Sequence, residues 1–211
     1  MGVSERIITG QAGVDEGAAW LAASCPGMAR ALEVTGPLPT RLREDGFEAL
    51  VSVIVGQQVS VASARAGMMR LEGAGLVTPE GVRAGGEEAL RAAGMTRQKA
   101  RYIHAIATAD LDFEALRARP SDEVIATLVA LPGVGPWTAE IYAMFSLGRA
   151  DVFAPGDLAL QEAARMIYDM PARPTDRALR AFATRWSPWR SVAARVLWSY
   201  YEKVKSREGI A

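Results

Sequence analysis

Two stretches of this chain combine residue types and spacings that could do chemistry. The first is Leu131-Pro132-Gly133-Val134-Gly135-Pro136-Trp137-Thr138-Ala139, where two glycines stand one residue apart just before an apolar, strongly helical run. Glycine permits backbone conformations and close approaches that a Cβ forbids. The first amides of a helix lack internal partners and carry the positive end of its dipole. Such a turn can bind a phosphate through backbone alone. Here the donors would be the N–H groups of Gly133 and Gly135 and the hydroxyl of Thr138. Taken alone, the same pattern also reads as an ordinary turn at a helix boundary.

The second stretch is Asp151-Val152-Phe153-Ala154-Pro155-Gly156-Asp157-Leu158, with Asp157 opening a helix just after Pro-Gly. By itself Asp157 reads as an N-cap. A carboxylate at a helix N-terminus is also favoured in its charged form by the dipole. A reaction that builds positive charge on a sugar needs such a fixed anion, which can orient or deprotonate water as well. The remaining candidates are weaker. His104 is the single histidine, has no second histidine for a metal or a triad, and reads as structural. Cys25 is the single cysteine, so an internal disulfide, an iron–sulfur cluster and a thiolate zinc site are all excluded. Glu140 reads as an exposed helix charge near the glycine turn.

The elements that must position these residues are helical nearly throughout. Helices are expected over Val14–Ser24, stopped by Pro26-Gly27, and over Phe47–Val55, with Phe47, Leu50, Val51 and Ile54 at helical spacing. Another follows Gly56-Gln57-Gln58-Val59-Ser60 and ends before Gly73. Glu87–Ala93 comes after Gly85-Gly86, and Thr96 caps the next. Ser121 caps a helix reaching Ala130, and Trp137–Leu147 follows the glycine turn, so the pair forms a helix-hairpin-helix. Asp157–Tyr168, Asp176–Thr184 capped by Thr175, and a last helix from Ser187-Pro188 to about Lys205 complete the chain. The expected fold class is all-α: two helical lobes flanking a cleft. Lobe A takes approximately 1–45 plus 155–211 and lobe B approximately 46–154, with no N-terminal β domain.

With 211 residues, 50% hydrophobic and 23% charged, the chain can bury one sizeable core or two small ones. No apolar run approaches the ~20 residues that span a bilayer, and no signal peptide is visible. A reducing cytoplasm is the expected home. Zero net charge argues against nucleic-acid binding by charge alone. The charge is uneven, however: from Arg165 to Ala211 ten Arg and Lys stand against four Asp and Glu. That bias fits a solvated helical face or a phosphate-facing surface equally.

Taken together, Leu131–Asp157 resembles the helix-hairpin-helix DNA glycosylases, in particular their alkylation-repair branch of the 3-methyladenine DNA glycosylase II type. The resemblance rests on the glycine turn and on Asp157, 22 residues after Gly135. Two further blocks support it, Ile54–Val61 and Trp186–Ala194 with Leu197-Trp198, and Gly94–Ala100 is similar to a weaker family segment. It covers about Phe47 to Tyr201.

The resemblance implies that Asp157 is the catalytic carboxylate and that Leu131–Gly135 anchors a DNA phosphate. It implies that Gln58, which by residue type alone is a polar loop residue, wedges into the duplex. Trp137 stands where bifunctional members carry a Schiff-base lysine, which implies a monofunctional enzyme without lyase activity. The resemblance also places Trp137 and Trp198 in the base pocket, while Trp189 is open between packing and DNA contact. A structural Na+ or K+ is implied on the backbone carbonyls of Val129, Leu131 and Val134. Three positions depart from the pattern of some relatives: Pro136 replaces a basic residue, Gly156 a second acid, and Ile141 a pocket aromatic. The expected activity is excision of alkylated purines, flipped from double-stranded DNA by a monomer, in base excision repair. The alternative is a non-catalytic helix-hairpin-helix DNA-binding protein, which needs the hairpin but not Asp157.

Overall fold

The computed structural model describes residues 5–207, and among them every regular element is a helix. In chain order these are α1 (Gln11–Ser24), α2 (Pro26–Thr35), α3 (Phe47–Gly56), α4 (Val61–Gly73), α5 (Pro79–Ala92) and α6 (Arg97–Thr108). Then come α7 (Phe113–Ala118), α8 (Ser121–Val129), α9 (Pro136–Phe145), α10 (Leu158–Ile167), α11 (Asp176–Phe182) and α12 (Arg190–Arg207). A 3-10 turn, Ala183–Trp186, precedes α12, and among the described residues extended pairing is limited to one bridge, Ile7 with Arg149. No helix among the described residues is long and apolar enough to cross a membrane.

Six helix starts obey local capping chemistry. The side chains of Ser60, Thr78, Thr96, Asp112, Asp157 and Thr175 each accept a first-turn amide of the helix that follows. Several boundaries differ from the sequence reading. Pro26-Gly27 separates α1 from α2 but does not end the helical path. Pro26 is the first residue of α2, where its missing N–H costs nothing. Thr78 and Pro79 start α5 well before Glu87, and Gly86, at φ 63°, kinks it. The six-residue α7 goes unread in the sequence. The N-cap position of α8 falls on Pro120, so Ser121 is its first residue rather than its cap. The last helix begins at Arg190, not at Ser187-Pro188. The Ser187 hydroxyl donates to the Asp151 carboxylate (2.8 Å), which also takes the Arg190 guanidinium (2.8 Å), so Ser187 anchors the approach to α12 rather than opening it.

The chain divides into two units, Met1–Leu42 with Ala143–Ala211, and Arg43–Tyr142. Residues 143–154, read from the sequence with the middle of the chain, belong to the first unit. There the Ile8 amide bonds the Gly148 carbonyl (2.7 Å) and the Ser191 amide bonds the Ala150 carbonyl (2.9 Å). In the first unit α12 packs on α1, α2 and α10. Its core holds Trp186 amid Phe153, Tyr168 and Phe182. Gly17 and Gly27 let helix backbones approach Trp189 and Tyr168. Arg195 is fully buried and holds the Thr40 and Ser191 carbonyls, with its guanidinium over the Phe145 ring. The second unit packs α3 on α4 and α6, and α5 on α6, around Leu50, Ile54, Leu71, Leu90, Ile103 and Ile106.

Candidate nucleic-acid interface

The helix-hairpin-helix lies in the second unit. Its turn closes with the Val134 amide on the Leu131 carbonyl (3.2 Å). Gly133 has φ 82°, and a Cβ there would overlap the ring of Tyr102 from α6. Gly135 is exposed, a Cβ on it would meet open space, and no described residue accepts its amide. Pro136 is the first residue of α9, so the amides of Trp137 and Thr138 head that helix. Gly135 therefore reaches solvent at the head of α9.

Thr138 does not. It is 2% exposed, and its hydroxyl accepts from Gln57 Nε2 at 3.2 Å, so it braces the turn instead of reaching solvent. Gln57 Nε2 also donates to the Gly133 carbonyl (3.1 Å). Lys99, in the first turn of α6, donates to the carbonyls of Val55 (2.7 Å) and Gln57 (2.9 Å). Burial lowers its ammonium from the ordinary lysine value. The next residue, Gln58, is exposed and left-handed at φ 57°, an uncommon state for a residue with a Cβ. An open groove of about 810 Å³ runs beside it, lined by Gln57, Gln58, Lys99, Tyr102, Gly133 and Gly135 among others. Gln57, Lys99 and Tyr102 escape sequence reading because their contacts join distant segments.

Backbone carbonyls suit a hard monovalent cation, and the end of α8 carries the negative pole of its dipole. Val129 is the last residue of α8, with Leu131 and Val134 in the turn beyond it. The donor set fits such an ion. Among the described residues no cluster of His, Cys, Asp or Glu is arranged for a metal.

Asp157 lies in the first unit, half-buried at the N-cap of α10. Its Oδ1 accepts from the amides of Ala159 (2.9 Å) and Leu160 (3.1 Å), which fixes the carboxylate's orientation. The turn before it is held by buried Gln161, whose Nε2 donates to the Pro155 carbonyl at 2.8 Å. Asp157 is thus the N-cap that its residue type implies, and the cap holds the carboxyl group in one orientation.

The other candidates fall as follows. Trp137, at the head of α9, is 37% exposed, a large aromatic face open to solvent. Trp198 on α12 is half-buried with its ring against Phe145, centroids 5.6 Å apart. Trp189 is buried, with the Arg6 guanidinium over its ring, and belongs to the core. Glu140 is only 3% exposed, which corrects its reading as a surface charge: it lies on the buried face of α9. Ile141 is buried too. His104 is half-buried on α6. For Cys25, burial pushes the thiol up, but hydrogen bonding to Tyr168 (3.1 Å) and to nearby amides outweighs it and leaves a net lowering.

Comparison with known proteins bears on both units. Residues 51–188 match the HhH-GPD superfamily of base excision DNA repair proteins. DNA-3-methyladenine glycosylase 2 of Escherichia coli K12 is 34% identical over 168 residues, covering 73% of this chain and 57% of that protein. A crystal structure of DNA-3-methyladenine glycosidase from Bacillus halodurans superposes with a TM-score of 0.76 at 33% identity, covering 88% of this chain and 89% of that one. The Schizosaccharomyces pombe 3-methyladenine DNA glycosylase Mag1, solved in complex with abasic DNA, superposes with a TM-score of 0.75 at 26% identity, covering 87% and 95%. The chain spans 14% to 57% of the length of the first bacterial relatives it matches.

Proposed function

We propose a function from one premise: the chain belongs to the HhH-GPD superfamily of base excision DNA repair proteins. It is a monofunctional DNA N-glycosylase that excises alkylated purines of the 3-methyladenine type and leaves an abasic site. It works as a monomer on double-stranded DNA in the cytoplasm. The observation that carries the reading is Asp157, half-buried, with one carboxylate oxygen fixed by two helix amides.

The amides of Gly133 and Gly135 hold a phosphate without reading sequence. Thr138 serves by bracing the turn, since its hydroxyl is buried against Gln57. A Na+ or K+ on the carbonyls of Val129, Leu131 and Val134 would add positive charge beneath the same phosphate. Gln58 fills the gap left by the flipped nucleotide. Extrusion costs a few kcal/mol, least for a damaged base. Trp137 and Trp198 offer aromatic faces, and a cationic alkylated purine gains about 0.5–2 kcal/mol from such a face.

The N-glycosidic bond then breaks with its electron pair going to the base, so a cationic purine leaves neutral. The Asp157 carboxylate stabilises the sugar cation that develops. Water adds to C1′ of that cation and gives up a proton to the Asp157 carboxylate or to solvent, completing the abasic sugar. Trp137 has no amine to form a Schiff base, so the strand stays intact.

The test is base release from methylated duplex DNA by the unaltered protein and by Asp157→Asn. Release that is lost in the variant supports the reading. Equal release by both removes Asp157 from its role. Duplex binding with no release by either leaves a DNA-binding module.

A further inference from the structure

Four hydrogen bonds in the second unit run in series from α6, through the α3–α4 loop, to the hairpin. Lys99 Nζ holds the carbonyls of Val55 and Gln57. Gln57 Nε2 holds the Gly133 carbonyl and the Thr138 hydroxyl. We infer that Lys99 and Gln57 are positioning residues that lock Gln58 in register with the phosphate-binding turn, so that strand anchoring and base extrusion act as one motion. The inference rests on the proposed wedge role of Gln58.

The geometry gives each bond a separate task. The Gln57 carbonyl belongs to the peptide that joins Gln57 to Gln58. Fixing that oxygen fixes the peptide plane on which the φ of Gln58 turns. Gln58 is left-handed, a state unfavourable for an L-residue unless its surroundings impose it. Lys99 supplies that imposition, with its two acceptors at the end of α3, where carbonyls lack helical partners and favour a cation. The Gln57 side chain then ties the same loop to the carbonyl side of the Gly133 peptide. With this link, the loop and the turn that grips the phosphate cannot shift independently. A purely structural pair would hold the fold together; this pair also sets where one exposed side chain points.

The readout is fluorescence of 2-aminopurine placed beside the lesion, which rises when the neighbouring base leaves the stack. Single-turnover base release is measured alongside. Gln57→Leu and Lys99→Met each lower the flipped population and the release rate about tenfold, the equivalent of one or two net hydrogen bonds. Lys99→Arg, which can still donate to carbonyls, restores most of the loss. In a Gln58→Ala background the Gln57→Leu penalty shrinks to less than about threefold, because neighbours that act as a unit are not additive. Thermal unfolding of each variant separates misfolding from mispositioning.

An undiminished Gln57→Leu penalty in the Gln58→Ala background overturns the inference, and so does a folded Lys99→Met with normal flipping. Neither result touches the proposed function. The glycosylase reading fails instead if the unaltered protein releases no base, and its wedge assignment, with this inference, fails if Gln58→Ala changes nothing.

Discussion

Gly133 lies so close to the ring of Tyr102 that a Cβ cannot be added without overlap, and its φ of 82° disfavours any side chain independently. Two separate causes therefore demand glycine. Gly133→Ala is expected to destabilise the protein by about 2–5 kcal/mol, from the left-handed backbone and the overpacking combined. Gly135→Ala is the contrast. Its methyl meets open space, so stability changes by less than about 1 kcal/mol, yet duplex binding weakens because the methyl crowds the exposed amide. Chemical denaturation and a duplex-binding titration on both variants check this. Equal stability losses would remove the special role of Gly133.

Asp157 caps α10 and is proposed to act as the fixed anion, and two substitutions separate the two roles. Asn keeps an oxygen for the amides of Ala159 and Leu160 but loses the charge. Asp157→Asn is expected to cost less than about 1 kcal/mol in stability, since Asn and Asp cap equally well. Its base release falls about 10²–10⁴-fold. Asp157→Ala loses the cap as well and unfolds more easily by about 1 kcal/mol. If Asn retains near-full release while Ala does not, the cap is the whole of its role.

The parts of the site that could be read in the sequence are those whose physics is local. Asp157 and the Gly133–Gly135 turn declare themselves through helix-start chemistry within a few residues. The bracing residues do not. Gln57 meets Gly133 across 76 positions and Lys99 meets Val55 across 44, and no periodicity encodes such pairings. Thr138 and Glu140 defy local reading for a related reason: a polar side chain on a short helix gives no local sign of which way that helix faces the core. The all-helical class was legible from helical spacing and capping residues. Helix α2 was not, because Pro26-Gly27 marks a stop and a start equally well, and only the packing against α1 and α12 decides.

Trp137 presents an exposed ring at the head of α9. A cationic base gains from that face what a neutral base does not. Trp137→Ala is expected to slow release of 3-methyladenine or 7-methylguanine about 2–30-fold more than release of neutral hypoxanthine. Competition assays on mixed-lesion duplexes measure the ratio directly. A uniform loss across cationic and neutral lesions assigns Trp137 to shape alone.

Tyr142, on the same helix, is buried, and its hydroxyl accepts from the Gly46 amide at 2.9 Å. Burial first, with the nearby Asp45 carboxylate adding to it, pushes its phenol up to about 12. The folded value thus exceeds the unfolded one near 10. Stability from this group is fully present below about pH 10 and is lost as pH rises toward about 12, because the unfolded chain ionises first. Alkaline titration of phenolate absorbance should show a late-ionising phase that coincides with unfolding. Tyr142→Phe should remove one phenol from that phase. A phenol at this position that ionises freely in the folded state contradicts the burial argument.

The basic C-terminal segment gives the last expectation, because charge and backbone amides leave different signatures in salt. Releasing counterions requires a cation on a phosphate, and each such contact steepens the dependence of log affinity on log salt by about 0.9 for duplex DNA. Arg173 and Arg177 are exposed in the segment that leads into and opens α11. If that face flanks the duplex, Arg173→Ala with Arg177→Ala lowers the slope by about 2 and weakens damaged and undamaged duplexes alike. Gly135→Ala should weaken binding and leave the slope unchanged, since an amide displaces no counterion. Titrations across about 50–200 mM salt measure both. An unchanged slope in the double variant would identify the positive surplus as a solvated face, and the hairpin amides would then carry the strand without its help.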